Sequence, residues 1–466
     1  KEILSIYPPT SPYKVYDQKV WWSDQWDAQD YAQEFDFSKP FFPQYQTLHK
    51  NVPRINLENR KNENSEYCND SNDLKNCYLC FNTAECEDCL YCTTCAYSRD
   101  CMDNFWSMAC ELCYECTKVT ESYHCFWCFN SSNLSDCYYC EECKGCRNCF
   151  GCVGLRQKEY CLYNEQLTRE QYEEFSKNPK LDEEKFNELR LKTPHKNLEI
   201  TQSEDCLGDY ISNCKNCYWC FDIMGSEDCR YVWDAMTNTS YDCFNCGGDE
   251  GQGFCNYLYN SLAGYYSTNL KCCNKCAKSS DLSYCDYCTS CDSCFGCVGL
   301  HHKNYCILNK QYTKEQYQEL LPRIIEHMEH TGEWCEFFPR DFSACGYNDS
   351  MAQYYFPLTK EQALAKGFNW SDYQKPALDD PSAIKCQKDG KLFRIIPKEK
   401  EFYEKHGLPM PTLCPDCRNH QRRQKQNPRQ ICSRKCDSCG LSIFSTCKPN
   451  RPEKIYCETC YLKSLS

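Results

Sequence analysis

Hydrophobic and polar positions between Asn76 and Leu162 repeat every three residues, a period that fits neither a helix at 3.6 nor a strand at 2. Cys77, Cys89, Cys101, Cys113, Cys125, Cys137, Cys149 and Cys161 form an unbroken 12-residue lattice. Three residues beyond it stand Cys80, Cys92, Cys116, Cys128, Cys140 and Cys152, with Asn104 the one exception. Cys86, Cys95, Cys110, Cys143 and Cys146 keep the same register. The pattern predicts a narrow β-solenoid that turns a corner every third residue, points every third side chain inward and closes a coil in four triplets. Asn76, Asp88, Asp100, Asp136 and Asn148, residues suited to tight backbone, precede the lattice. Tyr78, Leu90, Met102, Tyr114, Phe126, Tyr138, Phe150 and Leu162 follow it and predict an outward apolar ladder. Such a stripe is a contact surface for the rest of the chain or for a partner, self-association included.

The unit recurs. CRNCFGCVGLRQKEYCLYNEQLTREQYEEF (146–175) matches CDSCFGCVGLHHKNYCILNKQYTKEQYQEL (291–320), an internal duplication at an offset of 145 residues. In the second copy Cys217 and Cys229, Cys243 and Cys255, then Cys273, Cys285 and Cys297 keep 12-residue steps, with insertions between the series. Thr168 with Gln171 and Thr313 with Gln316 are capping-box patterns that open helices, the first expected to run on through LDEEKFNELRLK. The expected fold is mostly β: two tandem solenoids with short helical caps and a zinc-ribbon or treble-clef tail. Its segments are an aromatic-rich N-terminal cap (1–60) over the open end of the first solenoid, solenoid 1 (61–165), a helical linker (166–200), solenoid 2 (201–306), a helix and aromatic connector (307–383) and the zinc-ribbon region (384–466).

The coil spacing is similar to that of the 12-residue β-helix of beetle antifreeze proteins. That likeness covers geometry only, since the chain lacks the Thr-x-Thr face that meets ice.

The tail carries the most specific motif. Cys436-x2-Cys439 and Cys457-x2-Cys460, 17 residues apart, supply four thiolates for a tetrahedral zinc. Cys386, Cys414 and Cys417 form a second such set in which Asp389 stands where a cysteine is expected. Between the two lies RNHQRRQKQNPRQICSRK (418–435), which has no acidic residue. Its Arg418, Arg422, Arg423, Lys425, Arg429, Arg434 and Lys435 predict contact with RNA, DNA or a ribonucleoprotein such as the ribosome, the acidic body of the chain being the alternative acceptor. Charge sharpens that choice: of the net −13, residues 384–466 contribute 18 Lys/Arg against 8 Asp/Glu, so residues 1–383 carry about −23.

Forty-eight cysteines in 466 residues allow three states for the solenoid thiols: packing, disulfides or metal. Stacked CxxC pairs predict four-thiolate sets at Cys77, Cys80, Cys89 and Cys92, at Cys125, Cys128, Cys137 and Cys140, and at Cys273, Cys276, Cys285 and Cys288. Cys113 with Cys116 and Cys149 with Cys152 extend the column. Zinc fits such sets; iron–sulfur clusters in the same column make an electron-transfer protein the alternative, and disulfides an extracellular structural or assembly protein. No HExxH, nucleophile elbow or P-loop occurs, and no enzyme is expected. No stretch is apolar enough to span a membrane.

SPYKVYDQK (11–19) matches RPEKIYCET (451–459), with Asp17 at the place of Cys457. The match predicts that the chain begins inside a degenerate copy of the ribbon and that residues precede Lys1. Together, CFGCVGL repeats, FYEKHGLPMPTLCPDCR and SPYKVYD…WWSDQWD resemble an uncharacterised family of cysteine-rich proteins from ultra-small bacteria. The resemblance implies a bacterial cytoplasmic setting and supplies no activity.

Overall fold

The computed structural model describes residues 3–232 and 279–465, apart from 375 and 377. Between 233 and 278 it describes only the strands Ser240–Tyr241, Cys255–Asn256, Leu258–Tyr259, Gly264–Tyr265, Ser267–Thr268 and Cys276–Ala277. The expected steps at Cys243 and Cys273, and the side chains of Cys255 and Cys276, lie outside the described residues.

The first solenoid has the predicted coil. Strands Phe81–Ala84, Thr93–Ala96, Phe105–Met108, Thr117–Thr120 and Phe129–Ser132 stack in parallel at a 12-residue step, with Phe81 against Thr93 and Thr93 against Phe105. A second wall stacks Cys125 on Cys137, Cys149 and Cys161, and the antiparallel strand Glu165–Gln166 closes it. The corners have a single cause. Every third residue from Asp70 to Tyr163 has a positive φ near +50°, so the chain bends left-handed once per triplet. Asn and Asp fill these positions readily, but Leu79, Tyr91, Trp106, Lys118 and Trp127 occupy them too, each at a cost of about 1–2 kcal/mol that the lateral ladder of hydrogen bonds must offset.

Inside, the lumen is lined by cysteine with Leu74, Val119 and Leu134. Nearly all the thiols find a backbone acceptor: Cys92 Sγ donates to Leu90 O (3.4 Å) and lies 3.5 Å from Cys101 O, and Cys137 Sγ has Ser135 O at 3.3 Å. Serines use the same slot, Ser122 Oγ donating to Thr120 O and Ser131 Oγ to Phe129 O, both at 2.8 Å. The inward Asn104 accepts from the Cys116 amide.

Among its described residues the second solenoid repeats this coil and carries one irregularity. Ile200 to Leu207 pair eleven residues on, and the register shifts to twelve at Gly208, where a Cβ would fall 1.8 Å from the Cys220 carbonyl oxygen. Both capping boxes form, opening helices Arg169–Ser176 and Lys314–Thr331. The first does not run on; the chain breaks around Pro179, which cannot continue a helix, and resumes as Glu183–Lys192.

The N-terminal segment differs from expectation. Its aromatics cover the outward ladder of the second solenoid, not the open end of the first. On the helix Phe41–Asn51, Phe41 lies 5.2 Å from both Tyr284 and Phe295. The Glu333 carboxylate caps that helix by accepting from the Phe41 and Phe42 amides at 2.7 Å each. The first solenoid begins instead with strand Asn59–Arg60 laid on Asn69–Asn72.

A pairing of linkers explains the arrangement. NVPRINLE (51–58) precedes the first solenoid and KTPHKNLE (192–199) the second. Strand Val15–Tyr16 pairs in parallel with Arg54–Ile55, and Ile455–Tyr456 pairs the same way with His195–Lys196. Each linker then docks on a solenoid: Arg54 reaches Asp286 of the second, His195 reaches Glu142 of the first.

Candidate metal centres and the tail joint

Two hairpin knuckles and two helix starts build the tail sites. In the first knuckle of each, Gly390 (φ +73°) and Gly440 (φ +74°) take the left-handed turn. Their amides donate to Cys386 O (3.0 Å) and Cys436 O (2.9 Å). The two turns are equivalent, so Asp389 occupies the place that Cys439 holds in the other. The second knuckles are Cys414 and Cys457, which N-cap helices Pro415–Gln424 and Glu458–Ser464. Free amides and the dipole at a helix start favour a thiolate there.

The ligand atoms of Cys436, Cys439, Cys457 and Cys460 lie within 4.8 Å of one another, and so do those of Cys386, Asp389, Cys414 and Cys417. Cys439 Sγ is 3.9 Å from Cys457 Sγ, and the Cys457 amide donates to Cys436 Sγ at 3.2 Å. Burial raises the Cys436 thiol, but the backbone amides of Cys457, Cys439 and Ser438 outweigh it and bring the pKa to about 6. Hydrogen bonding to Cys386 holds the Asp389 carboxyl below its ordinary value. Each group therefore presents at least one anionic donor, while burial and neighbouring thiols raise Cys414 and Cys417. The four-thiolate set could hold a metal ion, and the Cys3Asp set offers one hard oxygen in place of a sulfur.

The solenoid sets are in register but not gathered. Cys125, Cys137 and Cys149 lie over one another as expected. Among the described residues, neither the set at Cys77, Cys80, Cys89 and Cys92 nor that at Cys125, Cys128, Cys137 and Cys140 falls within the 4.8 Å that encloses each tail group, and the set at Cys273, Cys276, Cys285 and Cys288 lies partly outside the described residues. The reason is the corner. Cysteines three apart project from adjacent walls, and their S–H groups face carbonyls of their own coil and the next as well as neighbouring thiols, Cys77 meeting those of Cys80 and Cys89. Burial pushes the thiols of Cys80, Cys128 and Cys288 well above their ordinary value. Every described cysteine is a free thiol.

The basic run is mostly folded against the acidic body. Arg418 Nε and Arg422 Nη1 lie 2.9 and 2.8 Å from the carboxylate of Asp103, a buried corner residue. Arg418 also holds Glu399 (3.0 Å), which accepts from Tyr91 Oη at 2.7 Å. Arg423 stacks on Phe105 at 4.2 Å, Arg429 pairs with Asp222, and Arg434 pairs with Asp437. All five arginines are buried; Lys425 and Lys435 are exposed. The adjoining helix Pro397–Lys405 lays Tyr403 on Leu90, Met102, Tyr114 and Phe126, while Phe175 covers Phe150 at 5.0 Å. The apolar ladder is thus a seat for the rest of the chain along most of its length. Sequence reasoning had no signal for these acceptors, because Asp103 and Glu399 belong to no motif.

A third cluster, Glu141, Glu142 and His195, gathers at the junction of the linker with the first solenoid. It joins residues 53 positions apart, and only the linker match could have pointed to it.

Fold and sites define a cysteine-rich β-solenoid protein with zinc-ribbon-like cysteine groups in its tail. No family model matches the chain, and no curated protein matches it. No helix among the described residues is long and apolar enough to cross a membrane.

Proposed function

We propose that this protein is a non-enzymatic scaffold whose tail is fastened by two zinc–thiolate groups, one at Cys436, Cys439, Cys457 and Cys460 and one at Cys386, Asp389, Cys414 and Cys417. The observation that carries the reading is the convergence of four donors in each group, with no position left open for a substrate. The metal fixes the knuckles, the knuckles fix the two helices, and the helices present Tyr403, Arg418 and Arg422 to the first solenoid. The solenoid thiols act as compact fillers, since serine, which does not replace cysteine at a zinc–thiolate site, takes the same inward slots. Free thiols and zinc thiolates both suit a reducing, cytoplasmic setting. For docking to nucleic acid the basic run offers Lys425 and Lys435, and two phosphate contacts give a salt slope of only about −1.4 on a single strand.

Elemental analysis and an absorption spectrum on protein purified without added metal test this reading. Zinc near one atom per tail group and no colour is the expected result. Iron with a visible charge-transfer band moves the protein to the electron-transfer class, and thiols that react only after reduction make it a disulfide-stapled scaffold.

A further inference from the structure

The two linker junctions are equivalent in backbone and differ in chemistry. Arg54 and Asn56 donate to Lys14 O and Tyr16 O at 2.8 and 2.9 Å; His195 and Asn197 donate to Lys454 O and Tyr456 O at 2.8 and 3.0 Å. Across the junction, Asp286 of the second solenoid and Glu141 of the first are the same residue of the duplicated unit, 145 positions apart. At the first junction the Arg54 guanidinium lies against Asp286, and His49 Nε2 is 3.1 Å from the same carboxylate. A fixed cation fills that site. At the second junction no guanidinium stands at the aligned position. A histidine faces two carboxylates instead.

Around that cluster the other charges have partners of their own. Arg451 and Arg190 face Glu453, Lys196 lies 2.7 Å from Glu458, and Lys144 reaches Glu199. Asp209 accepts from Thr446 Oγ1 and the Glu199 amide, and Lys425 is exposed. Glu142 Oε2 is buried without a hydrogen-bond partner. His195 Nε2 faces the Arg190 carbonyl at 2.9 Å and must donate to it, which aims Nδ1 at Glu142 Oε1, 3.0 Å away. A backbone carbonyl holding the far nitrogen is the usual way a ligating imidazole is oriented. A cavity of about 50 Å³, room for an ion or a water, is lined by these same residues.

We propose that Glu141, Glu142 and His195 form a third metal site, for a divalent cation of the Mn²⁺, Co²⁺ or Zn²⁺ class, which does at this junction what Arg54 does at the other. An ion entering the site displaces the proton shared between His195 Nδ1 and Glu142; two carboxylates and the imidazole then carry a charge of −2, which such an ion neutralises. The donor set is of oxygen and nitrogen and so differs from both tail groups; Mn²⁺ prefers it to thiolate.

The test uses the full chain with its tail sites loaded with zinc, titrated with Mn²⁺ and followed by loss of the free-ion EPR signal. Co²⁺ in parallel separates weak oxygen–nitrogen bands from intense thiolate charge transfer. One Mn²⁺ or Co²⁺ per chain is expected beyond the zinc, held at least tenfold more weakly in Glu142→Gln. The variant that keeps the claim falsifiable is His195→Arg, which copies the first junction. It should fold with unchanged melting and bind no third ion. Neither ion bound by the wild type, or binding equal in His195→Arg and wild type, overturns the proposal.

Discussion

Asp222 of the second solenoid accepts from Arg429 Nη2 of the tail at 2.7 Å, with both side chains buried. Lys118 of the first solenoid pairs with the same carboxylate. One aspartate therefore ties three segments together. Asp222→Ala removes the carboxylate that two buried cations share and should cost about 3–5 kcal/mol. The triple change Lys118→Met, Asp222→Leu, Arg429→Met should cost less than the single one. Urea unfolding of the wild type and the two variants decides it; a single variant no less stable than the wild type sinks the idea.

The tail sites differ in one ligand, so they should differ in hold on metal. Cys457→Ser is expected to lose the metal of the last group and loosen the helix Glu458–Ser464, while Asp389→Cys should tighten the other group by completing four thiolates. Competition with a chromophoric chelator measures both. In contrast Cys137→Ser, in an inward slot of the kind serine already fills, should leave the metal content untouched and cost on the order of 1 kcal/mol.

Acid should undock the N-terminal segment late. Burial raises the Asp286 carboxyl, but Arg54 and His49 outweigh it and bring the pKa to about 2. A lowered folded value contributes stability above the unfolded pKa, here about 2–3 kcal/mol, and loses it as pH falls from about 4 to 2. Fluorescence of the buried Trp21 should report the release in that window, and Asp286→Asn should abolish the pH dependence while weakening docking at neutral pH.

Corner residues offer a test of backbone strain. Glu121 sits at a left-handed corner (φ +50°) and is exposed. Glu121→Asn should stabilise the coil by several tenths to about 1 kcal/mol, because Asn tolerates that conformation better. No change in melting temperature in a series of such corner replacements would falsify the strain account.

The coil was legible because its cause is local and repeated: an inward slot filled mostly by compact cysteine, a bend each third residue, and a lattice that reports both. The tail knuckles were legible for a like reason, the CxxC spacing being set by one turn and one helix start. What the outward residues meet was not. Asp103, Glu399 and Asp222 carry no spacing signal, so the arginines of 418–435 read as a basic face when they are mostly an internal joint. The aromatics of 1–60 were read as an end cap because apolar residues announce burial without naming the surface. For the stacked cysteines the sequence shows register alone, since spacing does not carry the direction each wall faces.

The cap on the helix Phe41–Asn51 has a cost in time. Its Glu333 acceptor is 292 residues further along the chain. At about 5–20 residues per second of synthesis, Phe41, Phe42 and Tyr45 wait roughly 15–60 s before their seat exists. During that interval the first solenoid can coil, each turn templating the next, but the aromatic segment ahead of it has no native surface to bury against. The growing chain carries this apolar patch before the surface that buries it has been made.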